Sequence, residues 1–209
     1  MPDRINRFSR VFDLIDAANA TDPNSEFDPL SRSVQPKELL YARRMSDMLL
    51  RFAPDAAETA CIAARAQHIQ RWEIPRSEYP QTTQGYKQWR TRLYQHHADA
   101  VATLMQQVGY DAESIEQVKN SVGKRGIKVN AESQLIEDVA SLVFLAHYLQ
   151  DFHARHPEYD QQKWRDILQK TWKKMSPAGR RFAQQEIALP PLLTPLLSSL
   201  TVEEAAAAT

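Results

Sequence analysis

Four ionisable side chains fall on the apolar faces of predicted helices. Glu38 opens the stripe Glu38, Ala42, Met45, Leu49, Phe52, and His68 follows Ala60 and Ala64. His97 lies in the run Leu93, His97, Val101, Leu104, Val108, and Asp138 interrupts the seam Leu135, Leu142, Leu145, Leu149, Phe152. A carboxylate or imidazole facing a core is costly unless it is paired, hydrogen-bonded or bound to a metal. Convergence on one polar site satisfies all four at once and creates a place for acid–base chemistry.

Cationic and aromatic residues flank these positions. Arg43 and Arg44 follow Glu38, and Arg65, Arg71 and Arg76 surround His68, with Trp72 between them. Trp89, Arg90 and Arg92 precede His97, and Lys124, Arg125 and Lys128 make a basic loop between helices. Arginine presents a planar fork that grips a phosphate in bidentate fashion, and tryptophan stacks on a base or a guanidinium. This mixture suits a nucleotide or another phosphorylated small molecule. Arg44 and Arg71 are the preferred phosphate contacts, followed by Arg43, Arg76, Arg90 and Lys124, with Trp72 or Trp89 lining the pocket.

Each member of the set also has a purely local explanation. A histidine on an apolar face can be a hydrogen-bonded core residue. An aspartate in a helix seam can cap a neighbouring backbone, and Glu38 sits near a helix N-terminus, where a carboxylate is favourable. Their joint occurrence is what favours a shared pocket.

The elements that must position these residues are helices. The five glycines and the absence of an Asn-Gly or Asp-Gly hairpin signal argue against sheet. An amphipathic helix is predicted over 4–20, ending before the polar, proline-containing TDPNSEFDPLSRSVQP. Pro36 suits the first turn of a helix running to about Ala53, and a third helix is expected over Ala56–Trp72. EIPRSEYPQTTQG, restricted by Pro75 and Pro80, forms a wall or lid. Helices follow over 85–108 and, opened by Asp111, over 111–122, with Gly109 as a cap between them. The longest regular pattern covers 131–155, and two further helices are expected near 160–175 and 177–188. The proline-rich LPPLLTPLL and the VEEAAAAT tail read as an extended strap over 190–209, outside one helical domain of residues 1–189.

Composition narrows the class. The 209 residues allow one substantial core, and 43% hydrophobic with 25% charged residues is ordinary for a globular protein. Lys+Arg and Asp+Glu both number 26, so there is no basic excess of the kind a nucleic-acid binder carries. The N-terminal stretch lacks the apolar run of a secretory signal, and no window has the ~18 apolar residues of a membrane span. The lone Cys61 sits in an alanine-rich stretch and reads as a small core residue. A cytoplasmic location follows as the expectation. No P-loop, dinucleotide-binding, nucleophile-elbow, HEXXH or CxxC pattern is present.

The order of Glu38, His68, His97 and Asp138 along successive helices resembles the HD-domain superfamily of metal-dependent phosphohydrolases. AARAQHIQ looks like the helix that ends in the His-Asp pair of that superfamily, and LIEDVASLVFL like the helix with its distal aspartate, Asp138. Ile69 stands where the Asp of the pair belongs, and Glu38 where the first histidine does. The resemblance implies an all-α, HD-like bundle. It also implies a one-metal site of His68 and Asp138, with His97 or Glu38 as a further ligand or water-orienting base. Mn, Zn, Fe or Ni would suit those ligands and would activate a water toward a phosphoryl group. Over residues 16–176, the segments DAANATDPN, PKELLYARRM, ARAQHIQRWEIPRSEYP, GYKQWR, EDVASLVFLAHYLQDF and LQKTWKKMS resemble DUF4202, a domain of unknown function. Three functions remain open on the residues: a phosphohydrolase, a non-catalytic binder of an anionic or nucleotide-like metabolite, and a helical interaction module using the strap.

Overall fold

The computed structural model describes residues 2–188 together with 194 and 195, with side chains from residue 6 onward. The strap and tail expected over 190–209 otherwise lie outside the described residues. Those residues are predominantly helical, and the chain divides into two compact units, Met1–Ile136 and Glu137–Thr209. None of the described helices is long and apolar enough to cross a membrane.

In the first unit, α1 (Pro2–Asn19) turns Val11, Ile15 and Asn19 inward, one residue per turn as helical spacing dictates. The connection after it is not the irregular linker its composition suggests. It folds as an antiparallel hairpin of β1 (Ser25–Asp28) and β2 (Ser33–Pro36), with Phe27 opposite Val34. Asp28 supplies what a glycine-based turn signal would have supplied: its Oδ2 accepts from the backbone N and the hydroxyl of Ser31 at 3.0 and 2.7 Å. Arg32 takes the left-handed conformation, φ +54°.

Helix α2 (Lys37–Phe52) carries the expected stripe, with Glu38, Ala42, Met45 and Leu49 all buried. Helix α3 (Glu58–Arg65) is half the predicted length. Its small residues Ala60, Ala63 and Ala64 allow close packing against α2 and α5. The chain then leaves the helix through a turn over 66–70, because Gln70 is drawn into a left-handed conformation, φ +52°. Short 3₁₀ turns at Arg71–Glu73 and Arg76–Glu78 follow.

Helix α4 (Thr83–Gln107) starts where the Thr82 hydroxyl accepts from the Gly85 N–H at 3.0 Å. Gly85 has no room for a side chain, since a Cβ there would lie 2.2 Å from the Pro80 carbonyl oxygen. Helix α5 (Ala112–Val122) is capped by Asp111 as expected, and α6 (Ala131–Val143) by Asn130, whose Oδ1 accepts from the N–H groups of Glu132 and Ser133 at 3.0 Å.

In the second unit, the seam of α6 runs through a wide π-helical turn at Phe144–Tyr148 into α7 (Leu149–Arg155). Helix α8 (Gln161–Lys174) starts at Asp160, and α9 (Pro177–Glu186) at Ser176. Leu142, Leu145, Leu149, Trp164, Leu168 and Trp172 are buried there.

Candidate functional site

The site forms around the 66–70 turn of the first unit. Adjacent histidines of α4 hold adjacent carbonyls of that turn: His97 Nδ1 lies 2.7 Å from the Ile69 oxygen and His96 Nε2 3.2 Å from that of Gln70. A carbonyl oxygen only accepts, so the protons sit on His97 Nδ1 and His96 Nε2. From α1, Asn19 Oδ1 accepts the Gln70 N–H at 3.1 Å, and Gln67 Nε2 donates to the Val122 carbonyl at 3.3 Å. Ile69 itself is fully buried.

This anchoring presents His68 to α2. Its ring stacks on Tyr41, with centroids 3.9 Å apart and planes 10° from parallel. His68 Nδ1 lies 3.3 Å from Glu38 Oε2, and Arg71 Nε lies 3.8 Å from Glu38 Oε1, so each carboxylate oxygen faces one nitrogenous partner. The His97 ring lies 5.9 Å from that of His68. The Arg71 guanidinium lies 4.8 Å over the Trp89 ring, whose Nε1 donates to the Ile74 carbonyl at 2.8 Å. Glu38 is set in place through its backbone, which donates to Asp22 Oδ2 at 3.0 Å.

Burial dominates the electrostatics. It pushes the Glu38 carboxyl up to about 7, reinforced by Asp22 and partly opposed by Arg71 and Lys37. His68 is held well below the ordinary histidine value, first by burial and then by the positive charges of Arg71, Lys124, Arg90 and Lys37. His97 is lowered likewise by burial, His68, Arg71 and His96, against the opposing Ile69 hydrogen bond. Both imidazoles are therefore neutral at neutral pH. With its proton fixed on Nδ1, His97 turns a lone pair at Nε2 into the interior, where it has no hydrogen-bond partner among the described residues.

The other expected site residues take different places. Arg44 is a correction: its buried guanidinium bridges Glu26 and Asp28, the latter at 3.5 Å, and ties α2 to the hairpin instead of facing a ligand. Arg43 is exposed and donates to Gln35 at 2.8 Å. Arg76 donates to the Tyr79 and Pro80 carbonyls, both at 2.8 Å, and so stiffens the proline-containing loop. Trp72 is half-buried in the turn Arg71–Glu73, and the ring under Arg71 is that of Trp89. Arg90 bonds the Tyr94 hydroxyl, and Lys124 lies 5.9 Å over the Tyr94 ring. The Cys61 thiol is pushed up by burial and by Glu132 and Glu58, the opposite of what a nucleophile requires.

Asp138 is the second correction. It belongs to the second unit, where its Oδ1 accepts the Ser176 N–H at 2.7 Å and its Oδ2 the Ser176 hydroxyl at 2.5 Å. Both oxygens thus serve the start of α9. Among the described residues, no three of His, Cys, Asp and Glu are grouped so as to hold a metal ion.

Tyr41, Lys37 and Asn19 belong to the site and were not among the expected residues. Tyr41 stands one turn after Glu38, so helical spacing alone could have found it; Asn19 and Lys37 carry no such signal. The family described as "Domain of unknown function (DUF4202)" matches residues 9–197 of the chain. No curated protein and no solved structure matches it.

Proposed function

The chain belongs to the DUF4202 family, and we propose that it binds a small phosphorylated molecule at the Glu38–His68–His97 cluster. The observation that carries this is the placement of Arg71, 3.8 Å from Glu38 and 4.8 Å over the Trp89 ring, with Lys124, Arg90 and Lys37 near enough to depress the His68 imidazole. Against these four cations stand Asp22, Glu73 at 3.6 Å from His96, and Glu38, which is only part-ionised at pH 7, so positive charge is in excess and an anion offsets it. Arg71 is the principal contact: it is largely buried, oriented by Trp89, and held to Glu38 only at 3.8 Å. Tyr41 and Trp89 add aromatic surface for the organic part of the ligand.

Calorimetric titration with inorganic phosphate and with a nucleoside monophosphate tests this. Saturable binding is expected, weakened at least about tenfold in Arg71→Ala, the loss of one charge-assisted hydrogen bond. No binding of either, or equal binding to the variant, would overturn it.

Hydrolysis of the bound phosphoester is the second reading, favoured by one observation. A carboxyl that exchanges its proton near pH 7, 3.3 Å from a neutral imidazole, is matched to general acid–base work. Glu38 in its acid form would protonate the leaving oxygen, and His97 or His68 would take a proton from the attacking water. An HD-like scaffold would supply the order of Glu38, His68 and His97 on successive elements, with Asp138 serving α9. Phosphate release from a phosphomonoester, abolished in Glu38→Gln while binding persists, separates this reading from simple binding.

A further inference from the structure

The Glu38–His68–His97 cluster combines two requirements that few ligands meet together. Its charges call for an anion, yet the buried atom beside them is a hydrogen-bond acceptor. His97 donates from Nδ1 to Ile69, so its Nε2 can only accept; that atom is buried, its residue is 1% exposed, and nothing among the described residues bonds it. His68 lies beside it as a ring that is one-quarter exposed, with its Nδ1 3.3 Å from Glu38 Oε2. A fully ionised oxyanion placed here would set its oxygen lone pairs against this nitrogen lone pair. An anion that retains a proton would instead donate it.

We infer that the site selects an oxyanion bearing its own O–H, the hydrogenphosphate group of inorganic phosphate or of a phosphomonoester, and rejects sulfate and phosphodiesters. This rests on the anion-binding reading above and adds its selectivity. Arg71 and the neighbouring cations supply attraction common to all such anions. His97 is the specificity-determining residue, because the Ile69 carbonyl holds its tautomer and denies it the option of turning into a donor. The ligand enters past the quarter-exposed His68 and presents its P–OH to the buried lone pair. Sulfate has the same tetrahedral shape as phosphate and at least as much negative charge but no proton at neutral pH, so charge attraction alone would not favour phosphate. A buried acceptor left facing another acceptor loses its hydrogen bond outright, which is why sites built around one discriminate strongly.

Titration of the full chain at pH 6.5 with inorganic phosphate, sulfate, methyl phosphate and dimethyl phosphate tests the selectivity. Phosphate and methyl phosphate are expected to bind about 100-fold or more tightly than sulfate and dimethyl phosphate. In His97→Gln, whose amide can donate, the phosphate-to-sulfate ratio collapses toward one, mostly by a gain for sulfate. Should that variant fail to fold, the wild-type ratio of phosphate to sulfate binding decides by itself. Equal binding of phosphate and sulfate by the wild type, with both weakened in Arg71→Ala, would overturn the selectivity and leave the anion site standing. Absence of binding by every probe would overturn both.

Discussion

The Nδ1–H of His97 donates to the carbonyl oxygen of Ile69 at 2.7 Å, and through that bond α4 holds the turn that carries His68. Ile69 explains the departure from the HD pattern at this position. Its backbone serves His97 while its side chain is fully buried in the core. Aspartate cannot take that place without burying a carboxylate among apolar groups. Ile69→Asp is therefore expected to lose about 3–5 kcal/mol of stability, measured by urea unfolding, and to gain no metal affinity.

The pH dependence of stability follows from three groups of opposite sign. Glu38 has a folded pKa of about 7 against an ordinary 4.5, so its contribution is fully present below 4.5 and is lost as pH rises through 7. His68 and His97 are lowered well below 6.5, so theirs is present above 6.5 and is lost as pH falls. Two histidines outweigh one carboxyl on the acid side, which places the maximum near pH 6.5. Unfolding midpoints measured from pH 5 to 8.5 check the position of that maximum. Glu38→Gln removes the decline on the alkaline side and is expected to exceed the wild type at pH 8 by up to about 3 kcal/mol.

Arg44 and Arg71 are to be separated by their readouts. Arg44→Ala strands Glu26 and Asp28 and is expected to cost about 3 kcal/mol of stability with phosphate affinity retained. Arg71→Ala, which releases a 3.8 Å contact to Glu38 and the packing over Trp89, is expected to cost about 1 kcal/mol of stability while weakening phosphate binding. Paired melting and calorimetry on both variants decide whether this division of labour is right.

Asp138 predicts a structural phenotype in the second unit. Asp138→Ala removes both hydrogen bonds to Ser176, whose hydroxyl also caps α9 by accepting the Gly179 N–H at 3.1 Å. A loss of about 2–3 kcal/mol is expected, with phosphate binding unchanged. Gly179→Ala should act in the same direction, since a Cβ there would lie 2.9 Å from the Asp138 carboxyl. Amide hydrogen exchange at the first turn of α9 would report both changes; unaltered protection in Asp138→Ala would count against this capping role.

Gln70 stores strain beside the site. A non-glycine residue at φ +52° is disfavoured by roughly 1 kcal/mol, and Asn19 holds it there through the Gln70 N–H. Gln70→Gly is expected to be neutral or stabilising by a few tenths of a kcal/mol, and Asn19→Ala to destabilise by about 1–2 kcal/mol. The comparison of the two melting temperatures checks whether the turn is imposed from α1.

Much of this protein was legible in its local sequence. Apolar residues at helical spacing located α2, α4 and α6, and Asp111 located the start of α5, because periodicity and capping depend on neighbours within one turn. The same periodicity placed Glu38 and His97 on inward faces, where they are buried. What it could not supply were partners distant along the chain. Arg44 read as a phosphate contact until Glu26, 18 residues away, and Asp28 claimed it. Asp138 read as a metal ligand until Ser176, 38 residues on, took both its oxygens. His68 was expected on a long α3, yet the helix stops at Arg65 because Asn19, His96 and His97 bind the backbone of the turn that follows. Local sequence determines which way a segment would coil and which of its faces is apolar. Whether a buried charge meets a partner or waits for a ligand is decided only when distant segments are packed together, since the free energy of that choice lies in the contacts themselves.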